Sequence, residues 1–408
     1  MAVRRYRIAA VATVLAVAAA GCAAPGGTGS GPQSQPAGHP ARHASPSPGA
    51  SSAATPAPSG SPAPAPAQPA AQARWQKRLL LRETSSVAGA QQVADPAADA
   101  LFMLSPAGQP TGATWRLRRI DLRTGSAREG LAFPVSNLVL AGGYLWVYGT
   151  AGRSALPVIS QVSPATLTLV RNIKLAAKPA PQGRPGPAVA AGPAGSAWVG
   201  ADRTLLRVSL STGRTLARVT LPAGLAVGSL SADAAHGILY AGATRLVHDE
   251  PEGGGAIFEY NEQTGAQLAA DTGGLVRDSV AGPALTAVPG GVWVSFRTGM
   301  LGITYHLGRA GLRMIPPPGP GVALGPPGLF HWPMAASVAY GGGTLWLTND
   351  AGILGCVDPQ TGAVLASKRL TQSQLLSQFA GVDQAAHTIL AVSARGLLQI
   401  TPPRQCWS

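Results

Sequence analysis

Residues 141–147 read Ala-Gly-Gly-Tyr-Leu-Trp-Val, a turn of small residues that leads into a short apolar strand. This combination of turn and strand occurs seven times in the chain, at intervals between the low forties and the mid fifties of residues. Self-similarity at such a period indicates a repeat architecture in which each repeat is one supersecondary unit. The other six copies lie at residues 95–104, 191–199, 232–240, 288–294, 340–347 and 383–391.

A second recurring segment follows most copies and consists of an alternating strand, a Thr-Gly turn and another strand. It is clearest at residues 205–219, 257–268 and 353–365, and its turn recurs at 121–125. The glycine supplies the positive φ that a tight hairpin turn requires. Each unit is therefore predicted to hold four antiparallel strands: an inner strand, an apolar second strand, a third strand and an outer strand.

Seven such units arranged around one axis predict an all-β, seven-bladed β-propeller over residues 75–408. The segment at 358–365, Asp-Pro-Gln-Thr-Gly-Ala-Val-Leu, resembles the repeats of quinoprotein-like and YVTN-type propellers. The resemblance extends over the whole domain and implies its fold, without implying a particular activity.

The seventh unit lacks an outer strand, because only a short tail follows residues 396–400. Residues 76–82, ahead of the first unit, read as an outer strand without a unit of its own. We predict that this N-terminal strand completes the last blade and closes the ring. The last blade would then have all four strands, with no strand edge left unpaired where the ring closes.

The N-terminus resembles the signal of a bacterial lipoprotein. Arg4, Arg5 and Arg7 precede an apolar run at 8–20, which is shorter than the roughly 20 residues that span a bilayer. The run ends in Ala-Ala-Gly-Cys at 19–22, which resembles a lipobox. We expect 1–21 to be a signal peptide and Cys22 to carry lipid such as palmitate; the alternative is an ordinary signal peptide with a chance cysteine.

Residues 22–74 consist almost entirely of Ala, Pro, Ser, Gly and Gln. Such a composition buries too little apolar surface to offset the entropy of ordering, so a disordered tether is predicted. The tether and the lipid on Cys22 would hold the propeller on the outer, extracytoplasmic face of the cell membrane.

The chain carries a net charge of +14. The first 74 residues contain five arginines and no acidic residue, so the rest holds 26 basic against 17 acidic residues, a net charge of +9. A basic domain of this kind favours anionic lipids or wall polymers as neighbours, although general solubility explains the charge equally well. The arginines are scattered and form no basic-aromatic cluster, which argues against a nucleic-acid partner.

Two cysteines, Cys356 and Cys406, remain after Cys22. An even pair in an oxidising compartment predicts a disulfide that fixes the C-terminus, with two unpaired thiols as the alternative. No histidine lies near them in sequence, so a zinc site is not predicted there.

Ligands of a propeller usually bind on the face formed by the connections from second to third strands and from outer strands to the next inner strand. Three of these connections, at 179–187, 243–255 and 316–333, are expected to be long loops, and long loops on a rigid scaffold tend to carry function. We call this the loop face. Its candidate ligand-binding residues are Arg184, His248, Asp249, Glu250, Arg297, His331 and Trp332.

An acid–base or metal site would require the His248–Glu250 segment and His331 to converge. The virginiamycin B lyase family has this fold and uses His and Glu with magnesium, but the matching repeat positions are not found here. No cofactor is predicted, and whether a metal binds is left open. His236 and His387 are predicted to occupy equivalent positions in the turns of their repeats, and this equivalence favours a structural role for both.

These features favour a monomeric, non-enzymatic binding or scaffold module whose loop face takes a protein, a peptide or a wall-associated ligand. The alternative is a metal-dependent lyase or hydrolase of the virginiamycin B lyase type.

Overall fold

The computed structural model describes residues 75–407, except for 83–90, 108–113, 134–136, 152–155, 178–187, 249, 273–281, 299–300, 310, 316–336, 349–352, 371–375 and 394–395. Within these residues 28 strands form seven four-stranded antiparallel sheets. The predicted all-β, seven-bladed propeller is therefore confirmed.

The first four blades contain strands in simple up-and-down order. They are blade 1, β2 (Gln91–Asp95), β3 (Ala100–Ala107), β4 (Thr114–Asp121) and β5 (Ala127–Phe133); blade 2, β6 (Asn137–Ala141), β7 (Tyr144–Ala151), β8 (Leu156–Val162) and β9 (Leu169–Lys174); blade 3, β10 (Ala188–Gly192), β11 (Ser196–Ala201), β12 (Thr204–Ser209) and β13 (Thr215–Thr220); and blade 4, β14 (Leu225–Asp233), β15 (Ile238–Val247), β16 (Glu250–Asn261) and β17 (Gln267–Asp271).

The remaining blades follow the same order, and blade 7 takes its outer strand from the N-terminus. They are blade 5, β18 (Ala284–Val288), β19 (Gly291–Thr298), β20 (Leu301–Gly308) and β21 (Arg313–Ile315); blade 6, β22 (Ser337–Gly341), β23 (Thr344–Thr348), β24 (Ile353–Val357) and β25 (Val364–Arg369); and blade 7, β26 (Leu376–Asp383), β27 (Thr388–Ser393), β28 (Gly396–Thr401) and β1 (Gln76–Arg82). Short 3-10 helices span Pro96–Ala98 and Arg404–Cys406.

The inner strands β2, β6, β10, β14, β18, β22 and β26 each contact the next around the ring, and β26 contacts β2. The second strands of blades 2, 3, 5 and 6 each bury a tryptophan. Trp146, Trp198, Trp293 and Trp346 are at most 2% exposed, so each repeat motif places its bulkiest side chain in the core.

The Thr-Gly turns owe their shape to side-chain caps and to glycine. In blade 6, Asp358 Oδ1 accepts hydrogen bonds from the backbone N–H of Gln360 (2.9 Å) and Thr361 (2.7 Å) and from the Thr361 hydroxyl (2.9 Å). Gly362 then takes φ +74°, which a side chain would strain. We call the face that carries these turns the turn face.

Polar side chains of one blade hold the turn between the third and outer strands of the next. In blade 2 this turn spans residues 163–168, and Leu167 (φ +59°) stands where the other turns have glycine. Arg128 of blade 1 donates to the carbonyls of Ala165 and Thr166 in blade 2, at 3.2 Å each. Arg171 of blade 2 donates to Ser211 O (2.7 Å) in blade 3, and Arg207 of blade 3 donates to Gln263 O in blade 4.

Tryptophans and the N-terminal strand continue this series of contacts. Trp198 Nε1 donates to Glu262 O (2.9 Å) and Trp293 Nε1 donates to Pro359 O (3.1 Å), in each case a turn of the following blade. Arg78 of blade 7 donates to Arg123 O of blade 1 (2.7 Å). We call these contacts, in which a side chain of one blade donates to a turn of the next, the blade joints.

Closure by the N-terminal strand is confirmed. β1 pairs antiparallel with β28, from Gln76 opposite Thr401 to Arg82 opposite Gly396. The last blade is therefore completed by a strand from the start of the propeller, which ties blade 7 to blade 1.

The joint between blades 6 and 7 is covalent. Cys356 in β24 forms a disulfide with Cys406 of the C-terminal 3-10 helix, with Cα atoms 5.7 Å apart and a sequence separation of 50. Closing a loop of that length in the unfolded chain is worth about 4 kcal/mol. The Thr344 hydroxyl adds a hydrogen bond to Cys406 O (2.6 Å), so the chain end is fixed to blade 6.

Two details of the sequence-based reading are corrected. Much of 243–255 is paired strand, because β15 extends to Val247 and β16 starts at Glu250, which leaves a short connection at 248–249. His236 is the third residue of its four-residue turn, whereas His387 is the fourth, with φ +50°. His387 thus takes the left-handed position that Gly237 holds in blade 4, and it stacks on Trp407.

Candidate functional site

The predicted candidates divide into three groups. His248 is exposed at the tip of the β15–β16 connection, with φ +49°. Glu250 begins β16 and Arg297 lies in β19, and the structure describes only their backbone. Arg184, Asp249, His331 and Trp332 lie outside the described residues, so the convergence of His248 with His331 stays a prediction.

The loop face holds a cleft between blades 2 and 3. It has a volume of ≈ 310 Å³ and lies where the chain leaves β9 and where β11 turns into β12. We call it the loop-face cleft. Its lining residues are Leu175, Ala176, Ala177, Ala201, Asp202, Thr204 and Arg218.

The walls of the loop-face cleft are fixed by hydrogen bonds from neighbouring segments. Arg218 donates to Ala176 O, and the carbonyl of Asp202 accepts from Val227 N–H at 2.8 Å. Asp202 has φ +51°, a strained conformation that its surroundings hold in place. The cleft therefore combines a floor of small apolar side chains with a guanidinium and a carboxylate at its edge.

Such a cleft has the properties of a recognition site. A guanidinium has five N–H donors, so one contact to a carbonyl leaves others for a ligand. Small apolar walls with few fixed polar groups are typical of sites that accept one side chain or one polymer unit. The connection at 178–187, which contains the candidate Arg184, begins directly after Ala177 of the cleft.

A second cavity lies against the inner strands of blades 1, 6 and 7. Its volume is ≈ 410 Å³, and its polar lining residues include Gln92, Ser337, Tyr340 and Gln384. Burial raises the pKa of Tyr340, and the carboxylate of Asp233 raises it further. This cavity is lined largely by backbone and small residues, because glycines bring the strands close together.

Buried carboxyl groups cluster in blade 4 near the turn face. Asp233, Glu259 and Glu262 are at most 6% exposed, and Asp233 Oδ2 lies 2.7 Å from His236 Nδ1. Burial raises the pKa of Glu262, and Asp233 raises it too, whereas Arg207 acts in the opposite direction. We did not identify Glu259 and Glu262 from sequence, although acids within the apolar stretch at 257–262 were a signal for them.

In the part of the chain that the structure describes, no three His, Cys, Asp or Glu side chains lie close enough together to hold a metal ion. Over the same residues, no helix has the length and hydropathy needed to cross a bilayer.

His306 is the most unusual buried ionisable group. It stacks on Trp293 with ring centroids 4.9 Å apart and planes 7° from parallel. It is 2% exposed, and neither ring nitrogen has a hydrogen-bond partner among the described residues. Burial lowers the pKa of His306 to about 4, against the opposing influence of Asp358. The side chain is thus a neutral wedge at the joint between blades 5 and 6.

Comparisons with known proteins identify the fold but no family. No family model matches the chain, and no curated protein matches it. Similar solved structures include BamB from Moraxella catarrhalis (15% identity, 77% of this chain and 84% of that chain, TM-score 0.49) and the computationally designed Ika8 protein (14%, 79% and 98%, 0.50). A third is the Pan2 WD40 domain of Neurospora crassa (10%, 80% and 95%, 0.52).

These identities are low enough that the similarity concerns the fold alone. The fold therefore defines the class of protein, a seven-bladed β-propeller.

We predict that His306 makes the protein less stable in acid. The folded-state pKa of about 4 lies below the ordinary value of 6.5, so the native state binds fewer protons than the unfolded state between these values. The stability contributed by neutral His306 is present above pH 6.5 and is lost as the pH falls towards 4, by up to roughly 3 kcal/mol. Urea unfolding of His306→Leu between pH 7 and pH 4 should show a flatter pH dependence than wild type.

The control for this measurement is His248→Asn, which changes an exposed histidine and keeps a residue that tolerates positive φ. It should retain the wild-type pH dependence. Equal slopes for His306→Leu and wild type would show that His306 is not the acid-sensitive group.

Proposed function

We propose that this protein is a lipid-anchored, extracytoplasmic binding or scaffold module whose loop face takes a protein, a peptide or a wall-associated ligand. The observation that carries the proposal is the loop-face cleft, which sits on a closed ring and whose residue Ala177 is followed in sequence by the long connection at 178–187. Rigid scaffolds with variable connections on one face are a common arrangement for binding.

A blade joint and a hydrogen bond on the loop face support a binding role because they fix the relative positions of the blades that form the cleft. Arg171 of blade 2 holds Ser211 O of blade 3 at the turn face, and Arg218 of blade 3 holds Ala176 O of blade 2 at the loop face. The two blades are thus linked at both ends. A preorganised cleft loses less conformational entropy when a ligand binds.

The lipid anchor is inferred from the first 22 residues, whose basic head, apolar run and Ala-Ala-Gly-Cys ending resemble a lipoprotein signal. It would place the propeller, as a monomer, on the outer face of the cell membrane, joined to its lipid through residues 22–74.

Metabolic labelling with a radioactive fatty acid tests the anchor. We expect the full-length chain to be labelled and to fractionate with membranes, and Cys22→Ala to be unlabelled because it lacks the acceptor thiol. Labelling that persists in Cys22→Ala, or a wild-type chain that carries none, would contradict the lipid anchor.

We also predict that filling the cleft abolishes ligand binding without unfolding the ring. Ala176 is exposed at the cleft, so Ala176→Trp should block the ligand and reduce cross-linked complexes in whole cells by about tenfold, equivalent to 1.4 kcal/mol. Cross-linking of the tagged full-length chain, followed by quantification of the complexes, measures the effect.

The matched control is Ala234→Trp, an exposed alanine in a turn on the opposite face. It should leave the cross-linked complexes unchanged. If Ala176→Trp retains the same complexes as wild type, the ligand does not use the cleft and the proposal is wrong.

A further inference from the structure

The tether joins the propeller at the rim. Trp75 is the first residue that the structure describes, and it packs against the cluster that contains Trp346, Cys356 and Cys406. β1 follows at once as the outer strand of blade 7. The part of the domain closest in sequence to the proposed anchor is therefore an outer edge of the ring.

This edge is basic. We define the tether-side rim as β1, β25 and the 3-10 helix Arg404–Cys406, none of which contains an acidic residue. Lys77 Nζ donates to Leu370 O (2.6 Å), just beyond β25, and Gln405 Nε2 donates to Leu365 O (2.9 Å), so the three elements are contiguous. Their exposed basic side chains are Lys77, Arg78, Arg82, Lys368, Arg369 and Arg404.

The basic charge is concentrated at this edge. β1 and β25 carry five of the ten basic residues found in the seven outer strands. By contrast, β17 of blade 4 has no basic residue and ends in Asp271.

Among the described residues, the acids of the neighbouring blades already have partners of their own; Glu83, which follows β1 in sequence, lies outside the described residues. Asp99 of blade 1 is engaged by Arg123, whose Nε lies 2.8 Å from Oδ2. Asp358 of blade 6 is held by its own turn through Gln360 and Thr361. Both carboxylates thus already have partners outside the rim.

Apolar side chains lie among the charges. Leu79 of β1 and Leu365 of β25 are each 38% exposed. Peripheral proteins bind a membrane surface through electrostatic attraction to anionic lipids and through burial of apolar side chains, and basic residues next to exposed leucines combine the two.

We propose that the tether-side rim docks on anionic phospholipid headgroups of the membrane that carries the lipid anchor. This inference rests on the proposed function, which identifies that membrane. The negative surface attracts Lys and Arg over about one Debye length, roughly 8 Å at physiological salt. The lipid on Cys22 and a basic patch reinforce each other, since stable anchoring generally takes two signals. The ring then stands on its edge, which leaves the loop-face cleft open to a ligand.

Vesicle sedimentation tests this docking. The chain from residue 22 onward, with Cys22→Ala so that no lipid contributes, is mixed with vesicles of phosphatidylcholine alone or with about one-third phosphatidylglycerol. We expect binding only to the anionic vesicles, with a loss when salt is raised from about 0.05 M to about 0.5 M, where the Debye length shortens severalfold.

Charge reversal locates the contact. Arg82→Glu/Lys368→Glu/Arg369→Glu should weaken vesicle binding at least tenfold, since each basic residue near an anionic surface contributes to attraction. Arg214→Glu/Arg245→Glu/Arg313→Glu removes the same charge from exposed residues of blades 3, 4 and 5 and should weaken binding much less. If the first variant fails to fold, as judged by circular dichroism, the corresponding Gln substitutions replace it.

Equal losses in the two triple variants would overturn the proposal, as would equal binding to neutral vesicles. Binding to a soluble wall polyphosphate polymer but not to vesicles would also overturn it. These outcomes are separate from the fatty-acid labelling of Cys22, so failure of the rim inference is distinguishable from failure of the lipid anchor.

Discussion

The structure depends on the blade joints, in which donors of one blade hold backbone carbonyls in the turn between the third and outer strands of the next. Arg128, Arg171 and Arg207 make these contacts in three successive joints, and Trp198 and Trp293 add indole donors. A charged donor satisfies carbonyls that a tight turn leaves without partners, and such hydrogen bonds are stronger than neutral ones. Together with the apolar clusters between neighbouring blades, the joints hold the sheets in one ring, on which both the cleft and the rim depend.

Closure gives the two chain ends different tasks. The C-terminus is fixed by the Cys356–Cys406 disulfide at the joint between blades 6 and 7. The N-terminus supplies β1, which closes blade 7 and lies at the basic rim where the tether begins. The proposed anchor and the ring closure therefore meet at one edge of the domain, whereas the loop-face cleft lies between blades 2 and 3.

The architecture was predictable from sequence because its signals are local. The Trp-centred strands, the glycines of the Thr-Gly turns and residues 76–82 each report conformation within a few residues, and the observed pairing of β1 with β28 agrees with them. The joints, the buried Glu259 and Glu262, and the cleft were not predictable, because they depend on contacts between blades. His387 was misplaced by one residue because histidine can take the left-handed position usually given to glycine.

Native-state hydrogen exchange of β1 tests the central claim, that the ring is closed and cooperative, most directly. If β1 is an integral part of the ring, the amides that bond it to β28 should exchange with the same free energy as the amides of the inner strands, because both are exposed only when the ring opens. If β1 instead exchanges rapidly, as a frayed terminus does, while the inner strands remain protected, the ring is not closed by the N-terminal strand.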